Sequence, residues 1–266
     1  MQLLNYLPRY LRKHKVLSTL VYLGIQKNYI PITFNKDSRA YIDLNDPEPR
    51  NVFIKGEFEP DFFKIAEIFL LRNGTFFDVG ANVGFCTFGL TKKKPAAAYH
   101  LFEANPLMLN LLKKSIKMHK KQSITLENCC VSNKKGKILF QLNSGQSGQS
   151  HVSNNQGRGI EVNAITLDDY CVTNEIKFVH FAKLDIEGHE LAALQGWEKM
   201  LSHNNIGAIL IEIIPENQKR YNLQTSSPLS FLESKGYELF AFKTEDQKAL
   251  KLPSMYKNFY QSKLKV

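Results

Sequence analysis

The sequence predicts an α/β fold, a doubly wound and mostly parallel sheet, and three observations carry that expectation. From Asp61 onward, short apolar segments of strand length alternate with segments of helical periodicity. A glycine loop, Gly80 to Gly84, directly follows the first apolar strand in FFDVGANVGF (76–85). An acid, Glu103, closes the next apolar segment, about 20 residues beyond that loop. In doubly wound folds this order builds a nucleoside pocket at the carboxyl ends of the strands.

The elements follow in order. Residues 1–58 read as an extension: Arg9, Arg12, Lys13 and Lys15 precede an apolar run, Val16 to Ile25, and a segment with Pro31, Pro47 and Pro49 comes after it. The apolar run is shorter than the ~20 residues that span a bilayer and lacks a small-residue cleavage site. It is expected to be a basic amphipathic helix that packs on the domain or makes peripheral contact with a membrane surface. Asp61 to Arg72 has apolar residues at helical spacing, and Asn73-Gly74 stops it. Strand 75–79, helix 83–91, strand 97–102 and helix 106–119, opened by Asn105-Pro106, come next. A strand is expected over 124–130, then a turn at Lys134-Lys135-Gly136 and a strand over Lys137 to Leu142. Residues 143–159 have no apolar periodicity and read as a long polar loop, a length usually reserved for a lid or for disorder. Strand Ile160 to Ile165 leads into a helix capped by Thr166. Strand Phe178 to Leu184, helix Glu187 to Leu201, strand Ile206 to Ile213, helix Ser226 to Lys235 and strand Tyr237 to Phe242 complete a mixed sheet.

Composition narrows the class. The chain has 266 residues, 43% of them apolar, enough for a sizeable core. Its four cysteines, Cys86, Cys129, Cys130 and Cys171, form no C-x-x-C pair, so neither a disulfide framework nor a zinc site is indicated, and a cytoplasmic protein with reduced thiols is expected. The net charge of +10 favours anionic partners in general. Aromatic residues are not interleaved with the lysine clusters at 92–94 and 113–121, as a base-stacking surface would require.

The glycine loop itself points to a ligand. It reads Gly80-Ala81-Asn82-Val83-Gly84 and lacks the second glycine of G-x-G-x-x-G that admits a pyrophosphate. Asp78, just ahead of it, would repel a diphosphate and suit a cation. A positively charged ribonucleoside satisfies both conditions, and S-adenosylmethionine is the common cofactor of that description.

With FFDVGANVGF (76–85), FEANP (102–106), the Ser-Asn-Lys-Lys-Gly turn at 132–136, TLDD (166–169), KLDIEGHE (183–190), LAALQGWEKML (191–201) and ILIEI (209–213) in this order, the chain resembles the FkbM family of S-adenosylmethionine-dependent methyltransferases. The resemblance covers about residues 72 to 213. It implies a class I methyltransferase (Rossmann-like) domain over 59–266 and O-methylation of a hydroxyl on a sugar, glycan or small metabolite.

The resemblance places Asp78, Gly80, Asn82 and Gly84 in the first cofactor motif and Glu103 as the acid whose two oxygens take the ribose hydroxyls. Ser132 is a further candidate on the adenine side. Asp185, at the end of the fourth parallel strand, is the first choice for a base or an acceptor-orienting carboxylate, with Glu187 and Glu190 beside it at the start of a helix. Acids in a first helical turn also favour the helix dipole without any catalytic role. His189 is expected to turn away, and Glu212 either closes the same site or is an ordinary strand-end acid. Ser147, Ser150 and His151 are placed to cover the acceptor or to be flexible filler. A divalent metal held by the carboxylates is compatible with these residues but not required by them. Two other readings stand beside this one: an RNA methyltransferase using the basic surface, although LDIEGHE is not the Asn/Asp-Pro-Pro-aromatic signature that grips a base, and a cofactor-binding adaptor without catalysis.

Overall fold

Ile30, Ile32 and Phe34 alternate with outward residues, as do Ala40 and Ile42, and their buried faces join two antiparallel strands, β1 (Tyr29–Phe34) and β2 (Ser38–Asp43). This hairpin opens a computed structural model that describes residues 27–143, 145–153 and 159–240, together with Thr19. The basic helix expected near the N-terminus lies outside the described residues. Two helices follow. In α1 (Pro47–Lys55) Asp46 caps the first turn by accepting from the Glu48 N–H; α2 (Pro60–Phe69) buries Phe62, Phe63 and Ala66. Both helices and the hairpin share one core with Phe76, Phe88, Tyr99 and Phe181 of the later chain. The stretch before residue 59 is therefore packed into the same core as the stretch after it.

Next come β3 (Thr75–Val79), α3 (Phe85–Leu90), β4 (Ala98–Phe102), a 3-10 turn at Pro106–Met108, α4 (Leu109–Met118) and β5 (Ser123–Glu127). The strand expected over 124–130 breaks after Glu127. Cys130–Val131 forms a separate short strand, β6, in a second sheet with β7 (Gly136–Gln141), β8 (His151–Val152) and β9 (Ile160–Ile165). Within the polar loop, Ser147–Gln149 forms a 3-10 turn and β8 pairs antiparallel with β7.

After α5 (Leu167–Thr173) and β10 (Val179–Leu184), one continuous helix over 187–201 is replaced by α6 (Glu190–Gln195) and α7 (Glu198–Ser202). The break has a local cause. Gly196 lies so close to the Ser132 backbone that a Cβ there would sit 2.0 Å from its carbonyl oxygen. Asp168 then restarts the helix, its carboxylate accepting the N–H groups of Lys199 at 2.8 Å and Met200 at 3.0 Å. The chain continues with β11 (Ile206–Ile211), α8 (Pro215–Arg220) and α9 (Ser227–Ser234). The terminal strand expected over 237–242 does not form in residues 237–240, and 241–242 lie outside the described residues.

The central sheet has the order β11-β10-β3-β4-β5 with every pair parallel, so among the described residues antiparallel pairing is confined to the hairpin and the second sheet. β3, β4 and β10 are covered on both faces, which is why they read as nearly continuous apolar runs. One face packs on the hairpin and α2, with Phe76 stacked on Phe181; the other stacks Phe77 on the fully buried Trp197. Among the described residues no helix is long and apolar enough to cross a membrane.

Asp168→Ala removes both acceptors at the start of α7. It is expected to cost about 1 kcal/mol and to lower the midpoint of thermal unfolding by about 2–4 °C, measured by calorimetry. An unchanged midpoint would show that α7 needs no cap.

Candidate active site

The strand order reverses at β3, which pairs with β4 on one side and β10 on the other, and a crevice opens where such strands end. At its floor Gly80 takes φ +84° and donates its N–H to the Phe102 carbonyl at 3.0 Å, as does Ala81 at 3.1 Å. Asp185 donates from its backbone to Val79 at 3.1 Å, bringing the ends of β3 and β10 together. A Cβ at Gly80 would fall 1.9 Å from the Asp185 carbonyl oxygen, so only glycine fits this crossing. Above it is a cavity of about 300 Å³ lined by residues from both halves of the sheet.

On the first half, Glu103 is 6% exposed and sits at the end of β4. Its Oε2 accepts the Asn82 N–H at 2.6 Å and its Oε1 the Asn105 N–H at 2.7 Å. Burial pushes its carboxyl up to about 7, and these two hydrogen bonds hold it from rising further. Asn82 adopts φ +50° to deliver its N–H, and Gly84 caps α3. Asp78 is buried beneath the loop. Its Oδ2 accepts from the Thr87 N–H at 3.2 Å and hydroxyl at 2.7 Å, so it ties β3 to α3. Burial raises the Asp78 carboxyl above the ordinary range, with Thr87 opposing.

On the second half, Asp185 follows β10 directly and its Oδ2 accepts from the Lys183 ammonium at 2.9 Å. Lys183 is buried and also pairs with Glu59 at 3.5 Å. Burial alone would lower the Lys183 ammonium; the surrounding negative charge, Asp185 and Glu59 included, outweighs it and holds the group well above its usual value. Glu187 stands before the helix, at φ +57°, and its Oε2 accepts from Asn217 at 2.6 Å. Burial raises its carboxyl, and the charge of Asp185 adds to the effect. Glu212 lines the cavity beside them, raised to about 7 chiefly by the charge of Asp185.

Three expected residues lie elsewhere. Gly84 is off the cavity wall and faces the core, where a Cβ would fall 2.4 Å from the Phe88 ring. Glu190 is 1% exposed and faces inward: Oε1 accepts the Gly188 N–H at 2.9 Å and the Ile186 N–H at 3.3 Å, and Oε2 accepts from Gln218 at 2.5 Å. It shapes the turn that carries Glu187 and is absent from the cavity wall. Ser132 also stays off the wall, its hydroxyl 3.0 Å from His189 Nε2. His189, expected to turn away, lines the cavity, and burial lowers its imidazole to about 4.

Sequence reasoning missed several wall residues. Cys129, Cys130 and Val131 occupy the place foreseen for Ser132. Glu48 and Phe58 arrive from the stretch before residue 59. Lys183 opens KLDIEGHE and lines the wall beside the acid of the same motif, Asp185. From the polar loop, Ser147, Gly148, Gln149 and Ser150 reach the cavity, whereas His151 does not. The Ser147 hydroxyl sits between Asp46 Oδ2 and Asn82 Oδ1, at 2.5 and 2.7 Å. Among the described residues, no three His, Cys, Asp or Glu side chains are grouped to hold a metal ion.

Comparison with known proteins bears on this arrangement. A family described as Methyltransferase FkbM domain matches residues 78–239. No curated protein matches the chain. Among solved structures, a precorrin-6y C5,15-methyltransferase from Geobacter metallireducens is similar at 14% identity and TM-score 0.36, over 66% of this chain and 70% of that one. TYW2 of P. horikoshii, solved in complex with MeSAdo, is similar at 12% identity and TM-score 0.33, over 46% of this chain. The chain spans about half (51%) of that protein's length.

The buried Glu103 carboxyl makes stability depend on pH. Because its value in the fold is about 7 against 4.5 when unfolded, the native state binds the extra proton between those limits, and its contribution to stability falls as pH rises through that window. The difference in unfolding free energy between wild type and Glu103→Gln is expected to fall by on the order of 3 kcal/mol from pH 4.5 to 7. Parallel profiles from denaturant titrations would remove the assignment.

Proposed function

The chain belongs to the FkbM methyltransferase family, and from that premise we propose that it is an S-adenosylmethionine-dependent O-methyltransferase acting on a hydroxyl of a sugar, glycan or small metabolite. One observation carries the reading: a single cavity joins Gly80, Ala81, Asn82, Val83 and Glu103 to Asp185, Glu187 and Glu212. In this reading the nucleoside site and the carboxylate site share one cavity.

The residues present suit the cofactor. Glu103 lines the cavity, and each of its carboxylate oxygens keeps a lone pair after accepting its backbone N–H. In this reading Glu103 takes the ribose hydroxyls, Gly80, Asn82 and Gly84 shape the loop around the nucleoside, and Asp78 holds that loop to α3. Cys129, Cys130 and Val131, rather than Ser132, form the wall beside the base. When bound, S-adenosylmethionine would supply an electrophilic methyl group on a positively charged sulfur. Asp185 and Glu187 orient the acceptor hydroxyl and receive its hydrogen bond; close placement of the two reactants supplies much of the rate. Glu190 supports them by shaping the turn.

The RNA reading has less support. Seven carboxylic side chains and one lysine line the cavity, and nucleic-acid sites need cations to neutralise phosphate. A polyhydroxyl acceptor, by contrast, offers O–H donors that carboxylates accept. The adaptor reading gives the carboxylates no work.

Glu103→Ala is expected to weaken S-adenosylmethionine binding at least about tenfold, since charge-assisted hydrogen bonds contribute about 1.5–3 kcal/mol each. In wild type the affinity should rise with pH through about 7, as Glu103 loses its proton; isothermal titration at pH 5.5 and 8 checks both, and an affinity indifferent to Glu103 sinks the ribose assignment. Tritiated methyl label offered to a cell extract is expected in glycan or small-metabolite fractions and reduced by about 100-fold in Asp185→Asn. Label in RNA, or in nothing, would overturn the acceptor class or the enzyme reading respectively.

A further inference from the structure

Resting on that reading, we propose that Lys183 is a positioning residue: its ammonium holds Asp185 as the charged half of an Asp185–Glu212 carboxyl pair, which leaves Glu212 to take the acceptor's proton. The argument starts from register. β10 and β11 are parallel neighbours, with Leu184 opposite Ile211, and Glu212 donates its N–H to the Leu184 carbonyl at 3.0 Å. The two strands thus end side by side, Asp185 and Glu212 each follow the paired residues Leu184 and Ile211, and both line the same cavity. Two carboxylates on neighbouring strand ends in one cavity do not both ionise readily, and the charge is favoured on the one with a cationic partner.

The partner is unambiguous. Lys183 Nζ lies 2.9 Å from Asp185 Oδ2, is buried to 6% exposure and stands over the Phe58 ring at 6.0 Å, so its charge has little water to answer it. Its other contact, Glu59 at 3.5 Å, is longer and at the exposed mouth. The charged groups facing Glu212 are therefore Asp185 and Lys183 from the β10 end and Glu59 from the residue before α2, with Glu48 of α1 also on the wall. The balance among them leaves Glu212 at about 7, near the pH at which a general base works best. In the step, the acceptor O–H bond breaks and its proton joins the Glu212 carboxylate. The acceptor oxygen takes the methyl group, and the electron pair of the old methyl–sulfur bond stays on sulfur.

The test has two arms. Carbon-13 NMR of the labelled side-chain carboxyls, with the Glu212 signal assigned by its loss in Glu212→Gln, is expected to show Glu212 titrating near 7 in the wild-type chain. It should move up by about 0.5 unit or more in Lys183→Met, return in Lys183→Arg, and fall by about 1 unit in Asp185→Asn. The second arm follows tritiated methyl transfer into cell extract against pH. The acid limb should shift in the same directions and vanish in Glu212→Gln. If Lys183→Met does not fold, Lys183→Gln takes its place with the same expected upward shift. A Glu212 signal that ignores Lys183→Met or Asp185→Asn, or a limb that persists in Glu212→Gln, overturns the inference alone. A wild-type chain that transfers no label overturns the methyltransferase reading as well.

Discussion

The parallel pairing of β3 with β10 is the constraint on which the site depends. A glycine follows β3 directly and an acid follows β10, and the crossing of Gly80 over the Asp185 carbonyl locks the two ends at backbone distance. Because β4 and β5 lie beyond β3 and β11 beyond β10, the chain leaves the sheet in opposite directions at this point. That divergence leaves the crevice open, and both groups of carboxylates stand on its rim.

Concentrating charge there is costly, and the structure offsets the cost locally. Glu103 accepts two backbone N–H groups, Asp78 accepts an N–H and a hydroxyl, and Lys183 has two carboxylate neighbours. None of these buried charges is left without a hydrogen bond, as burial in a low dielectric requires. The residual strain shows in raised carboxyls at Asp78, Glu103, Glu187 and Glu212, an arrangement that gathers at functional sites more often than elsewhere. Glu190 shows that a buried acid in the same motif can be purely architectural.

The mouth of the cavity is built from segments remote in sequence. Asp46 caps α1 and, through the Ser147 N–H and hydroxyl, also receives the polar loop. Ser147 reaches Asn82 of the cofactor loop, and Ser150 accepts the Asn143 N–H at 3.0 Å. One aspartate thus couples the hairpin region, the polar loop and the glycine loop, which explains why residues before position 59 share the site as well as the core.

The sequence by itself determined the alternation of strands and helices, the glycine loop, the acid closing β4 and the place of Asp185, because each follows from local periodicity or from backbone conformations few residues tolerate. Only the tertiary structure decided which side chains meet. The break at Gly196, the turn at Glu187 and the inward course of Glu190 arise from contacts with Ser132, Asp168, Asn217 and Gln218, all distant along the chain. Lys183 reads from sequence as one more inward position of a buried strand; what makes it a buried cation beside Asp185 is the packing of Phe58 and Glu59 against the strand end. Periodicity reports which face a residue takes, whereas charge pairing depends on what another part of the chain brings to that face.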